Sequence, residues 1–184
     1  MTNFKEVDVA EYAGDLVDSG IEVKEYKKFV RVQAVQGKAG QVVETRLKNG
    51  LVETTNIVQE DPEHGGECGW IVTNPDGEKY VVKDSVFKKR YNATPDKDGL
   101  YSPKGVPIRA VEIADDISFT APWGEKMNIE KGGYLVLNSP TDIYGIAKDE
   151  FYNTYKPSAE VDKMREQIEN ATKQKDDVQK INKL

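Results

Sequence analysis

Cysteine and histidine are almost missing from this chain. Its 184 residues hold one of each, Cys68 and His64. A lone cysteine makes no intramolecular disulfide, which fits a reducing compartment and a cytoplasmic protein. A lone histidine removes the usual base from nucleophilic triads. His64 and Cys68 stand four positions apart, but structural zinc needs four ligands and no second histidine or cysteine exists to complete a set. His64 lies among Pro, Glu and Gly and reads as a solvated loop residue. No apolar run approaches the ~18 residues of a membrane span. The opening residues, Met1 to Asp8, lack the apolar core of a signal peptide. Glycine-rich phosphate loops are lacking too: Gly65-Gly66 and Gly132-Gly133 precede strands, where turn geometry accounts for them. Excess positive charge is also absent. The net charge of -6 leaves no overall basic field for nucleic acid, only room for a local patch.

What is present is a lean but foldable composition, 38% hydrophobic and 32% charged. It suits one medium domain or two small ones. Residues 1–25 form an acidic arm. Asp8 followed by Glu11 makes a capping pattern, Val9, Tyr12, Leu16 and Val17 keep helical spacing, and Gly20 is a natural stop. A short amphipathic helix near residues 9–19 follows.

Residues 26–92 read as a first β unit. Phe29 to Val35 suggests one strand. Val42 to Leu47 and Leu51 to Val58 flank Asn49-Gly50, the strongest short hairpin signal, because both residues tolerate the positive φ of a type I′ turn. Trp70 to Thr73 and Glu78 to Val82 flank Asn74-Pro75-Asp76-Gly77, a type I turn pattern. Asp84 is then placed to cap a helical turn that carries Val86, Phe87 and Tyr91 on one face.

Residues 93–103, with two prolines and a glycine, read as a linker. Residues 104–157 then repeat the first unit. Trp70, Tyr80, Phe87 and Tyr91 recur as Tyr134, Tyr144, Phe151 and Tyr155, all at an offset of 64. The opening strands need an offset of 76, from Val32 to Ile108. The second unit includes a hairpin from Ile117 to Ile129 turning at Pro122-Trp123-Gly124. Residues 158–184 form a charged helix, with Ser158 as its expected N-cap. Its apolar stripe of Val161, Met164, Ile168, Ala171 and Val178 is narrow and interrupted by Lys175. The fold expected is mainly β: two tandem small rolled-sheet or SH3-like repeats between a short N-terminal helix and a charged C-terminal helix.

The first unit carries Lys27-Lys28-Phe29-Val30, Gln33-Ala34-Val35-Gln36, Gly69-Trp70-Ile71-Val72, Gly77-Glu78-Lys79-Tyr80, Lys83 and Phe87 to Tyr91. The second keeps Ala110-Val111-Glu112, Gly133-Tyr134-Leu135-Val136, Tyr144 and Phe151 to Tyr155. This pattern resembles a small β domain common among bacteriophage and prophage proteins. That family opens with Lys-Lys-Pro-Val and closes with Gly-Asp-Trp-Ile-Ile, Gly-Glu-x-Tyr and Phe-x-x-x-Tyr. The chain departs from it at Phe29, where the family has Pro, at the missing Asp before Trp70, and at Ala147, where it has Lys. The resemblance covers both units and neither terminus. It implies a fold and a phage setting, and it brings no active site.

Function is therefore sought where the two units differ. Lys24, Lys27, Lys28 and Arg31 together with Lys88, Lys89 and Arg90 form two basic clusters that one patch would unite. Such a patch would hold a small anionic ligand or an acidic protein surface. Trp123, on a turn, is a candidate interface anchor. The expectation is no enzyme, no cofactor and no metal. The resemblance implies a phage accessory protein in the host cytoplasm that binds a bacterial host protein, with inhibition of a host defence system as its purpose. A binder that sequesters a nucleotide or signal molecule, a minor virion component, and an enzyme built without histidine stay open. So does a homo-oligomer. Nucleic acid and membrane partners are not expected.

Overall fold

The structure, a computed structural model, describes residues 3–46, 52–62 and 65–182. The elements in order are β1 (Lys5–Glu6), α1 (Val9–Asp18), β2 (Lys24–Lys28), β3 (Gln33–Gln36), β4 (Val42–Arg46) and β5 (Val52–Ile57). Next come β6 (Glu60–Asp61), β7 (Glu67–Cys68), β8 (Trp70–Thr73), β9 (Lys79–Val82) and α2 (Asp84–Arg90). The rest are β10 (Ile108–Glu112), β11 (Ile117–Thr120), β12 (Lys126–Ile129), β13 (Tyr134–Ser139), β14 (Asp142–Ile146), α3 (Lys148–Thr154), β15 (Tyr155–Pro157) and α4 (Ser158–Asn182). The protein is thus mostly β, with a short N-terminal and a long C-terminal helix. No helix among the described residues is long and apolar enough to cross a membrane.

Helix α1 forms as its spacing predicts. Asp8 is extended and its Oδ1 accepts from the Glu11 amide at 3.1 Å. Val9, Tyr12, Ala13 and Leu16 are buried against Val111, Ile113, Phe119 and Leu135. The Tyr12 hydroxyl, donating to Asp115 at 3.0 Å, pins the helix to the loop after β10.

The sheets do not divide by sequence. One runs β1-β11-β12-β5-β4 and another β14-β13-β10-β2-β15, so each mixes strands of both expected units. A three-stranded sheet, β3-β8-β9, completes the larger sheets. The single strand expected from Phe29 to Val35 is broken. Strand β2 ends at Lys28 and pairs with β10 and β15, whereas β3 begins at Gln33 and pairs with β8. Between them the Phe29 amide donates to Thr154 O at 3.0 Å, and Val32 exchanges bonds with Tyr101. The end of α3 and the segment before Pro103 thus take up the Phe29 and Val32 amides where the chain crosses between sheets.

Strands β4 and β5 pair antiparallel as expected, while the Asn49-Gly50 turn lies outside the described residues, as does His64. In the turn from β8 to β9, the Gly77 amide donates to Asn74 O and Gly77 takes φ 97°, a conformation that favours glycine. Gly124, after Trp123, has φ 93° for the same reason. The segment 93–103 packs as well as links: Tyr101 bridges to Val32, and its ring meets Trp70 and Phe87 edge-on.

Two expected caps differ. Lys83 precedes α2 as its N-cap, without a side-chain bond, and Asp84 is the first helical residue. Asp84 is buried because its Oδ1 accepts from Trp70 Nε1 at 2.8 Å. Ser158 likewise opens α4 from within the helix, and its Oγ is buried without a hydrogen-bond partner.

Helix α4 has 25 residues and is about 37 Å long at 1.5 Å per residue. Only its start is docked. Val161 is buried, Lys27 pairs with Asp162 at 2.7 Å, and Arg165 donates to Pro103 O at 3.0 Å. Beyond Arg165 every residue through Ile181 is exposed.

Candidate functional site

The sequence stretches 69–91 and 133–155 share several local features: each is a strand, a turn, a strand and a short helix. Lys83 and Ala147, the residues before α2 and α3, have φ/ψ of −60°/150° and −60°/148°. Asn74 donates to Glu78 at 3.3 Å in one turn, and Asn138 to Asp142 at 3.0 Å in the other. Trp70 stacks on Phe87 at 4.2 Å and Phe87 on Tyr91 at 5.2 Å. Tyr134 stacks on Phe151 at 3.7 Å and Phe151 on Tyr155 at 5.6 Å. The conspicuous aromatics therefore build two small cores, as their recurrence predicts.

The polar ends of these stacks surround one buried lysine. Strand β2 aligns Lys28 opposite Tyr155, and only 6% of Lys28 is exposed. Its Nζ donates to Tyr80 OH at 2.7 Å, and Tyr80 OH lies 2.7 Å from Tyr91 OH. The same Nζ lies 5.0, 5.5 and 5.8 Å from the ring centres of Tyr80, Tyr91 and Tyr155, within cation–π range. Burial drives Lys28 down to about 7, against the attraction of Glu150, Glu78 and Asp76, while Arg90 pushes it the same way as burial. Burial also raises Tyr80, Tyr91 and Tyr155, so these hydroxyls stay protonated.

Beside this cage lies a group of acids. Glu150, in the first turn of α3, accepts from Asn74 Nδ2 and hydrogen-bonds the carboxyls of Asp76 and Glu78. Burial and those two neighbours raise Glu150 well above the carboxylate range, so it holds a proton at neutral pH. Asp76 is lowered, first by the hydrogen bond from Glu150. Glu78 is raised by burial, with its bonds to Glu150 and Asn74 opposing. Among the described residues no cluster of three His, Cys, Asp or Glu side chains is placed to hold a metal ion.

Of the two basic clusters the structure brings Lys28 and Arg90 together and leaves Arg31, Lys88 and Lys89 apart from them. Lys28 turns inward and meets Arg90 along a cavity of about 20 Å³, lined also by Tyr91, Gly105 and Tyr155. Arg31 pairs outward with Asp96 at 2.6 Å and Asp98 at 3.4 Å. Lys88 pairs with Asp84 at 2.9 Å, and Lys89 is exposed on α2. Trp123 is 50% exposed on its turn, as an interface anchor would be, and its Nε1 donates to Glu125 at 2.9 Å. The acid group escaped sequence reasoning. One signal was available: at the offset of 64, Glu150 stands where the first stretch has Val86.

The residues of this cage and of both stacks fall mainly in one segment. A family model described as PGDYG protein matches residues 62–156. The chain belongs to the PGDYG protein family. No curated protein and no solved structure matches the chain. The PGDYG segment holds both aromatic stacks, the acids Asp76, Glu78 and Glu150, and Arg90. Lys28, α1 and all of α4 lie outside it, so the lysine at the centre of the cage comes from beyond the PGDYG match.

Proposed function

We propose that this PGDYG protein is a non-catalytic accessory protein that engages a protein of a bacterial host, using α4 as its contact arm. One observation carries the reading. Past Arg165 the helix leaves the body, yet it keeps apolar side chains in water: Ile168 is 64% exposed, Val178 55% and Ile181 67%. Exposed apolar residues on a helix that leaves the body suit a groove on another protein. Most helical stability comes from packing an apolar face, so a partner would also order the undocked part. Trp123 offers a second apolar contact on a different face. The phage setting rests on the likeness of Gly69-Trp70-Ile71-Val72 and Gly77-Glu78-Lys79-Tyr80 to the phage pattern.

We read the body as two tandem copies of one small rolled β unit. Supporting this are the paired registers Ala34↔Val72 and Ala110↔Val136, together with the matched helix entries and aromatic stacks. Strand exchange between the copies accounts for the mixed sheets.

The test uses the full chain and a triple variant, Ile168→Ser, Val178→Ser and Ile181→Ser, as baits in bacterial lysate with cross-linking. At least one host protein should be held by the wild type and lost by the variant, with both melting alike. Identical captures by the two baits would refute the assignment to α4.

A further inference from the structure

A buried ammonium has three donors, and Lys28 finds one acceptor, Tyr80 OH. No carboxylate among the described residues lies within ion-pair distance of Lys28 or Arg90. Both line the same cavity. A third cation stands at its rim. Arg165 donates to Pro103 O, and its guanidinium packs over Gly105, where an added Cβ would come within 2.5 Å of Nη1. Tyr155 lines the cavity too. The acids Glu150, Glu78 and Asp76 also act on Lys28, but they hydrogen-bond one another and Asn74. Lys28 and Arg90 therefore line, and Arg165 borders at Gly105, a space that no anionic group of the protein fills, and a buried charge left unpaired is costly.

We propose that the cavity between Lys28 and Arg90 binds one small inorganic monoanion of halide size. Its volume, about 20 Å³, admits roughly one water-sized particle. That space suits a single-atom anion. The anion accepts from the free donors of Lys28 and from Arg90, and Tyr91 and Tyr155 wall it off. Binding holds Lys28 in its charged form, so affinity falls as pH rises through the lysine's titration near 7. This site is independent of the α4 contact proposed above.

Thermal unfolding of the full chain in sodium chloride, sodium bromide and sodium gluconate at equal ionic strength tests the site. At pH 6, a halide at about five times its dissociation constant raises Tm by about 2–4 °C over gluconate. The shift shrinks at pH 9 and is lost in Arg90→Gln, a partly exposed position, with far-UV circular dichroism checking that the variant is folded. Bromide-grown crystals show an anomalous peak beside Lys28 Nζ. An equal halide shift in wild type and Arg90→Gln, a shift that persists at pH 9, or the absence of both shift and peak, as for a cavity holding only water, overturns the proposal.

Discussion

The side-chain amide of Asn74 donates to the carboxyl of Glu150, joining the β8–β9 turn to α3 across 76 positions of sequence. Both residues are buried. The contact sits where two structurally similar stretches meet, and it is polar where an apolar residue at position 150, like Val86 in the first stretch, would be ordinary.

Glu150→Gln should therefore change stability in a pH-dependent way. The folded-state value of Glu150 is raised, so the native protein keeps a proton that the unfolded chain releases above about 4.3. Wild-type stability is lost from this group as pH rises beyond that point. Glutamine mimics the protonated acid. The variant should match wild type near pH 4 and exceed it by about 1–2 kcal/mol at pH 8 in urea unfolding. A wild type more stable than the variant at pH 8 would contradict the assigned protonation.

Lys28→Met should give the opposite slope. Lys28 falls to about 7 in the folded protein, against about 10.4 unfolded. Between those values the unfolded chain binds more protons, so wild-type stability rises with pH across that window. Methionine removes this gain. Measured in gluconate, the variant's advantage over wild type should be larger at pH 6 than at pH 10, whatever the constant cost of losing the Tyr80 bond.

Trp70→Phe keeps the stack on Phe87 and deletes the donor to Asp84, a residue 1% exposed. Leaving a buried carboxylate short of one bond should cost about 1–3 kcal/mol. Chemical denaturation checks this. A cost below the error of the measurement would mean that Lys88 alone satisfies Asp84.

Ending the chain after Glu166 should leave the melting temperature of the body within about 2 °C of the full protein, because the removed residues are exposed. The helical signal in far-UV circular dichroism should fall. A large drop in Tm would show that the distal helix stabilises the body through contacts absent here.

Much of the local structure was legible in the sequence. The Asp8 cap with its apolar face, the Asn74–Gly77 turn and the Phe87–Tyr91 spacing rest on neighbours within a few positions, and short-range sterics and hydrogen bonding decide such features. The aromatic recurrence at an offset of 64 likewise identified the two small cores without any coordinates.

Pairing partners were not legible. In the sequence Lys28 stands with Lys27 and Arg31 and reads as surface charge, because lysine is rarely buried. Strand β2 instead leaves the register of β3, joins β10 and β15, and drives that one side chain inward among Tyr80, Tyr91 and Tyr155. Asp84 was read as a cap for a similar reason, since its preference for helix entries is local and its bond to Trp70 is not.

The sequence by itself thus determined α1, the Asn74–Gly77 turn and the aromatic cores, since these depend on periodicity and on backbone preferences of adjacent residues. The tertiary structure alone decided that the sheets interleave, that Glu150 meets Asn74, Asp76 and Glu78, and that Lys28 faces Arg90 across a cavity. Those contacts join residues far apart in the chain, and their energies depend on burial and distance, which no local pattern encodes.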